Sequence, residues 1–193
     1  MFEESLSVKV RGLTPTIMHN GRLADPMDDI VQQIRAITDK KGNKTDDDRL
    51  QLQRLEWFGG LYIDEQRRPC WPGENIEALI RTAAKKTKKG ILVQIGVQVP
   101  DNVPVIYEGP KDLDKLYEDS RFRLVKRAVV GRSSIVRTRP IFPVPWSLEF
   151  VVRYTKQKVN RPNLITWIEL AFSEIGLSDW RPKYGLAEVT DIQ

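Results

Sequence analysis

The chain has 193 residues, of which 40% are hydrophobic and 30% charged, and its 31 basic residues exceed its 26 acidic residues by five. This composition is typical of a globular protein and excludes a disordered chain, and no apolar run reaches the roughly 18 residues of a membrane span. The length predicts a single domain over residues 1–193. The positive balance favours a polyanionic partner, and the lack of a long apolar run predicts that no membrane is involved.

Two further features limit the sites that the chain can hold. Its first residues, MFEESLSVKVRG, lack the basic and apolar regions of a secretory signal, so we expect a cytoplasmic protein. Cys70 is the only cysteine, which excludes an intramolecular disulfide and a multi-cysteine zinc site and favours an inert, buried thiol. We predict no cofactor and no bound metal.

A strand opens the chain, and a helical insertion follows it. Across residues 5–13, apolar and polar side chains alternate with the period of a half-buried strand. Helical spacing begins after the Asn20-Gly21 turn signal, is interrupted by the polar connector KKGNKTDDD, and resumes where Thr45 and Asp48 resemble a helix start. Residues 26–60 are therefore predicted to form a helical hairpin.

The centre of the chain predicts a helix behind a proline-rich turn. Apolar residues recur at three- and four-residue spacing from Ile76 to Ala83, so one face of this helix should be buried. Four lysines follow between Lys85 and Lys89, where they either complement the helix dipole or contact a nucleic acid, and Gly90 is expected to end the helix. The next segment, ILVQIGVQVP, is rich in β-branched residues and predicts a strand.

The strongest charge feature lies between residues 121 and 139, where RFRLVKRAVVGRSSIVRTR holds seven basic residues and no acidic one. Basic and apolar residues alternate on both sides of a GRSS turn. This pattern predicts a β-hairpin over 120–140 with Arg137 and Arg139 on one face. Its arginines can pair with phosphate oxygens, or they can form a solvated edge that discourages aggregation.

The remaining elements complete an α+β fold. Residues 146–154 alternate as a core strand, residues 163–175 have helical spacing, and a loop and a final strand follow. Two strand–helix–strand halves predict a ferredoxin-like or RRM-like antiparallel sheet with helices. The helical insertion and the basic hairpin would protrude from it.

Residues that could carry enzymatic chemistry are few. His19 is the only histidine, and the chain has no Gly-x-Ser-x-Gly elbow or glycine-rich phosphate loop, so we interpret His19 as a structural or ligand-contacting residue. Asp25, with Asp28 and Asp29, could hold a magnesium ion for phosphodiester cleavage, but such carboxylates beside a helix start more often act as caps. Asp25 is therefore a weak catalytic candidate.

Aromatic residues near the basic segment offer a second kind of contact. Phe122 and Trp146 could stack on unpaired bases, because proteins that bind single strands combine basic grooves with aromatic platforms. The alternative is that both rings belong to the core, which the apolar strand around Trp146 favours.

Two stretches carry a resemblance to a known family. RPCWPGENIEALIR, residues 68–81, resembles the I-P-G-S-S-L-K-G-x-x-R motif of the repeat-associated (RAMP) superfamily, which starts a helix there. Pro72, Gly73, Ile76 and Arg81 match, whereas the small family residues are replaced by Glu74, Asn75 and Ala78. GLSDWRPKYG, residues 176–185, is similar to the family's C-terminal glycine-containing loop.

This resemblance implies a backbone subunit of CRISPR effector complexes, or a minimal or virus-borne relative. Such subunits have an RRM-like palm and a thumb hairpin, here 120–140, and assemble as head-to-tail helical homo-oligomers on single-stranded guide RNA beside other effector subunits. Some cleave target RNA with an aspartate after strand one, the region of Asp25. The expected nucleic-acid-binding residues are His19, Asn20, Arg22, Asn75, Arg81, Lys85, Arg121, Arg123, Lys126, Arg127, Arg132, Arg137, Arg139, Arg181 and Lys183.

Three alternatives to guide-RNA binding stay open. One is a phage protein that binds single-stranded DNA. Another is a metal-dependent ribonuclease that uses Asp25. The last is an adaptor or inhibitor that mimics a backbone subunit and docks its basic hairpin on an acidic protein.

Overall fold

The computed structural model of the chain describes residues 2–130 and 133–193. This part mixes helices with antiparallel strands, which confirms the α+β class. In chain order the elements are β1 (Glu4–Gly12), β2 (Thr16–Ile17), α1 (Asp29–Thr38), α2 (Asp46–Gly60), β3 (Cys70–Trp71), α3 (Gly73–Lys85), α4 (Gly90–Gly96), β4 (Val97–Gln98), β5 (Val103–Pro104), β6 (Ile106–Tyr107), α5 (Leu113–Glu118), β7 (Arg123–Val130), β8 (Ser133–Phe142), β9 (Trp146–Tyr154), α6 (Arg161–Leu170) and β10 (Ala187–Ile192).

The chain divides into two compact units, each made of more than one segment. The sheet unit contains Met1–Thr16, Ile63–Glu108 and Phe142–Gln193, and the hairpin unit contains Ile17–Tyr62 and Gly109–Ile141. The predicted helical insertion and the predicted basic hairpin therefore fall in the same unit, although about 60 residues separate them along the chain.

The sheet unit is built on an antiparallel sheet with strand order β10-β1-β9-β4, and β6 also pairs with β9. In β1 and β9 every second side chain is buried, which is the alternation that predicted both strands. Helices α3 and α6 contact each other and follow β1 and β9 as crossovers. This order favours the ferredoxin-like interpretation, which stays a prediction.

The segment predicted as a strand over 91–100 is mostly helical, so that prediction was wrong. A strand would have put Ile91, Val93 and Ile95 on one face, but Ile91 and Ile95 are 76% and 54% exposed whereas Val93 is 1% exposed. Gly90 begins helix α4 instead of ending α3, and a Cβ there would lie 2.6 Å from Lys85 Cγ, so a glycine at this position allows close packing. Close packing of α4 on α3 overrides the local β propensity.

The hairpin unit combines the α1–α2 pair with strands β7 and β8. The predicted start of α2 is confirmed, because Thr45 and Asp48 form a capping box with each other's backbone N–H groups. Trp57 of α2 is buried, and its Nε1 donates a hydrogen bond of 2.8 Å to the Phe122 carbonyl. Strands β7 and β8 pair from Arg123 opposite Pro140 to Val130 opposite Ser133, as the alternating sequence predicted.

Among the described residues, the longest apolar helical stretches fall short of what is needed to cross a membrane.

Candidate nucleic-acid interface

The first candidate surface lies beside α3, whose start is fixed by close backbone packing. A Cβ on Gly73 would lie 2.0 Å from the Val99 carbonyl oxygen, so only glycine fits at this position. Glu77 Oε1 accepts a hydrogen bond of 2.8 Å from the Val99 N–H. The apolar face of α3 is buried, and these contacts fix which way the opposite, polar face points.

The polar face of α3 and helix α4 line two adjacent cavities that share Arg81 and Gln94. The cavity near the start of α3 has a volume of about 370 Å³ and includes Glu74, Asn75 and Glu77. The cavity near its end has a volume of about 380 Å³ and is lined by Arg81, Lys85, Lys88, Gly90, Ile91 and Gln94. We call this second cavity the cationic groove.

The cationic groove contains three positive side chains and no carboxylate in its lining. Within the described part of the chain, neither Lys85 nor Lys88 has an ion-pair partner, whereas the neighbouring Lys86 is paired with Glu174 at 2.5 Å. Three cations in one concavity repel each other, so an anion bound there would be stabilised by all of them.

Arg81 sits at the junction of the two cavities with part of its guanidinium buried. Its Nε is buried and has no hydrogen-bond partner among the described residues. Leaving such a group unsatisfied costs on the order of 1–3 kcal/mol, so the position favours a ligand that can accept a hydrogen bond. A phosphate oxygen is the acceptor that a guanidinium pairs with best.

The second candidate surface is the basic hairpin, where several arginines contact the protein itself. Arg137 Nη1 lies 2.5 Å from Glu56 Oε1, and the same carboxylate accepts a hydrogen bond of 2.8 Å from the Thr138 N–H. Glu56 is 3% exposed, so this ion pair is largely buried. Arg137 therefore holds β8 on α2, which the sequence alone did not indicate.

Two more arginines of this segment are engaged near its first strand. Arg121 donates hydrogen bonds to both oxygens of Asp119, from Nε to Oδ1 at 3.1 Å and from Nη2 to Oδ2 at 2.7 Å, and these bonds lower the pKa of the Asp119 carboxyl. Arg123 lies over the Tyr117 ring at 4.8 Å and donates to the Tyr117 carbonyl at 3.3 Å.

The remaining predicted hairpin residues differ in exposure. Lys126 and Arg127 are exposed on β7, and Arg139 is half-buried on β8 beside the buried Thr138. Arg139 and Arg137 point to the same side of β8, as the alternation predicted. Arg132 lies outside the described residues.

The three predicted residues that follow β2 have structural contacts. His19 is exposed, and its carbonyl accepts a hydrogen bond of 3.2 Å from the Tyr62 hydroxyl. Asn20 caps a short 3₁₀ turn, Gly21–Ala24, and donates to the Leu61 carbonyl at 3.1 Å. Arg22 donates to Asp28 at 2.8 Å and thereby lowers the pKa of that carboxyl.

Asp25, the weak catalytic candidate, is exposed and acts in a turn. Its Oδ1 accepts a hydrogen bond of 2.9 Å from the Met27 N–H, which is a local turn contact. The capping interpretation of this cluster is confirmed at Asp28, whose Oδ1 accepts a hydrogen bond of 2.9 Å from the Ile30 N–H at the start of α1. In the described part of the chain, no three histidine, cysteine or acidic side chains lie close enough together to hold a metal ion. The ribonuclease alternative stays a prediction that Asp25→Ala would test.

Phe122 and Trp146 belong to the core, so the stacking role considered for them was wrong, because both rings are 1% exposed. Trp146 donates its Nε1–H to the Thr14 carbonyl at 2.8 Å and sits against Gly12, where a Cβ would overlap the indole. Cys70 is likewise buried, and desolvation raises the pKa of its thiol to about 11, which makes it inert as expected.

Sequence reasoning missed Gln94, Trp180 and Tyr184, and it considered Lys88 only as one of the four lysines between Lys85 and Lys89. Lys88 and Gln94 line the cationic groove, but the strand predicted over 91–100 placed Gln94 on an alternating face. Arg181 and Lys183 were predicted and are exposed, but the half-buried rings beside them, Trp180 and Tyr184, were not considered. The signal was present in the sequence WRPKY, where two aromatic residues flank two cations.

Comparison with known proteins adds no family to this description. No protein-family model matches the chain, and no curated protein is significantly similar to it. The resemblance to the RAMP superfamily therefore stays a prediction, which depends on the residues of the two motifs.

Proposed function

We propose that the protein binds single-stranded nucleic acid through its phosphates and that the cationic groove is one contact surface. The single observation that carries this proposal is the meeting of Arg81, Lys85 and Lys88 in one cavity without a lining carboxylate. Phosphate contacts of this kind carry no base information, so binding should be largely independent of sequence.

Concave shape favours a single strand over a duplex. A flexible strand can bend its phosphates into a cavity, whereas duplex DNA is stiff over roughly 150 base pairs and presents its phosphates on a convex surface. We place RNA first and DNA second, following the family resemblance. Head-to-tail assembly of copies along the strand belongs to the same proposal.

The first test measures particle size and the ratio of nucleic-acid to protein absorbance of the purified protein, before and after separate RNase and DNase treatment. We expect large particles that collapse with one nuclease, which would name the strand. A monomer that carries no nucleic acid and does not bind added single strands would contradict the proposal.

A second test separates the groove from general charge. Lys85→Gln with Lys88→Gln should lower affinity for a labelled single strand about tenfold and flatten the logarithmic salt dependence by about 0.7 for each phosphate that is no longer neutralised. The matched control is Lys41→Gln with Lys158→Gln, which removes the same charge from exposed positions outside the groove. Equal reductions of affinity in both double variants would contradict a role for the groove.

A second candidate function has its own observation. Ile91 and Ile95 are 76% and 54% exposed on one side of α4, and Ile91 lines the rim of the cationic groove. Exposed apolar side chains beside lysines suit a protein partner with an acidic, apolar surface. Ile95→Ser, at a position outside the lining of the cationic groove, should weaken this adaptor function and leave strand binding intact.

A further inference from the structure

The loop between the end of the α6 segment and β10 has a rigid base. Leu177 donates its N–H to the Gly185 carbonyl at 2.8 Å, and Gly185 donates to the Pro15 carbonyl at 2.8 Å. Gly176 and Gly185 have φ values of +85° and +80°, where side chains are strained. A Cβ on Gly185 would also lie 2.3 Å from the Leu177 carbonyl oxygen. The loop therefore projects from a fixed base.

Trp180 holds an unfavourable backbone conformation within this loop. Its φ is +55°, which costs a bulky residue on the order of 1–2 kcal/mol. Its N–H donates to Asp179 Oδ1 at 3.1 Å. The Trp180 indole lies 6.4 Å from the Tyr184 ring, centroid to centroid, with 55° between the planes. Strain of this kind persists where the surrounding structure fixes it, and it is concentrated at functional sites.

The exposure of Trp180 sets it apart from the other tryptophans. Trp57, Trp71, Trp146 and Trp167 are each at most 3% exposed, and they belong to the core. Trp180 is half-buried, as is Tyr184. Both residues therefore keep part of their surface accessible to solvent.

Two exposed cations lie between the two rings in sequence. Arg181 and Lys183 are exposed, and Lys183 Nζ lies 6.0 Å from the centre of the Tyr184 ring. Aromatic faces beside cations are the combination by which proteins stack unpaired bases and hold the adjoining phosphates.

We propose that Trp180 and Tyr184 form a stacking platform for an unpaired base, with Arg181 and Lys183 contacting the flanking phosphates. This inference rests on the proposed function, because a single strand must bind for its bases to stack. The proposed function involves contacts to phosphates only, and the platform adds a contact to a base. Any base has a face that can stack, so the platform would not select sequence.

Tryptophan emission tests the platform directly, because four of the five indoles are buried. The probes are an end-labelled short oligouridylate and oligothymidylate, and an abasic strand of the same length. We expect all three to raise the anisotropy of the label, but only the strands with bases to quench tryptophan emission. Trp180→Leu should abolish the quenching and weaken binding of the strands with bases about tenfold, with no effect on the abasic strand.

Trp180→Phe is the conservative variant, because it keeps a ring at the same strained position. It should retain most of the affinity that Trp180→Leu loses, while both variants have equal melting temperatures. Binding without quenching, together with unchanged affinity in Trp180→Leu, would overturn the platform and leave phosphate binding standing. If no strand raises the anisotropy, the proposed function itself fails.

Discussion

The cationic groove and the basic hairpin differ in what their cations contact. On the hairpin, Arg137 is paired with the buried Glu56, and Arg121 is held by Asp119. In the groove, Arg81, Lys85 and Lys88 meet without a lining carboxylate. The hairpin has the higher density of positive charge in the sequence, but part of that charge stabilises the fold. A count of basic residues therefore overestimates the charge available to a ligand.

This difference changes how the hairpin can be tested. Replacing Arg137 and Arg139 with glutamate is the direct way to break a phosphate contact. Because Arg137 faces Glu56, however, the reversal would place two carboxylates together in a buried site. Weaker binding in that variant would not separate a missing phosphate contact from a disrupted fold.

The largest expected effect is on stability, in Arg137→Ala. Removing the guanidinium leaves the buried Glu56 carboxylate without its ion-pair partner, which should lower the free energy of unfolding by about 3 kcal/mol. Urea denaturation measures it. The control is Arg127→Ala, an exposed arginine on the neighbouring strand, which should change stability by less than about 0.5 kcal/mol. Equal stabilities of the two variants would show that the ion pair does not hold the hairpin.

The next effect is on affinity, in Arg81→Met. Methionine fills similar space without a buried unsatisfied donor, so the free energy of unfolding should stay equal or rise, by up to about 1 kcal/mol. Affinity for a labelled single strand should fall about tenfold, which is about 1.4 kcal/mol. Arg35→Met, on the exposed side of α1, removes the same charge and should leave affinity unchanged. If Arg81→Met is less stable than the wild type but binds the strand with the same affinity, Arg81 has a structural role and does not contact the ligand.

A smaller effect is expected where a carboxylate holds a lysine beside the groove. Lys86 is paired with Glu174, and both side chains are about half exposed. Glu174→Gln should change the free energy of unfolding by less than about 1 kcal/mol, because exposed ion pairs contribute little. It should raise strand affinity about twofold at low salt and not at high salt. Fluorescence anisotropy at two salt concentrations measures this, and reduced affinity would contradict it.

The smallest expected effect is on the pH dependence of the melting temperature, in Asp119→Asn. Bonding to Arg121 lowers the pKa of Asp119 in the folded state, so the pair stabilises the protein above the ordinary pKa of the carboxyl. That contribution disappears as the pH falls through the folded-state pKa. Asp119→Asn should therefore have a lower melting temperature than the wild type near neutral pH and the same melting temperature in strong acid. A melting difference that is the same at every pH would exclude the carboxyl as its cause.

Local patterns in the sequence determined most of the helices and strands, and they also indicated two of the cations that line the cationic groove. Alternation placed β1 and β9, capping residues placed α2, and the apolar stripe of α3 fixed which face is buried, because these signals depend on neighbours in the chain. The same stripe put Arg81 and Lys85 on the polar face, so two groove cations could be predicted.

Only the tertiary structure decided the rest, because packing partners lie far away in sequence. Helix α4 forms where β-branched residues favoured a strand, since Gly90 lets it pack closely on α3. Glu56 and Arg137 are 81 residues apart in sequence but form an ion pair. Arg137, which was predicted to bind phosphate, therefore stabilises the fold. Lys88 lines the groove only because α4 packs against α3. Trp146 is buried in the core whereas Trp180 is not, and this difference depends on tertiary packing that the sequence does not show.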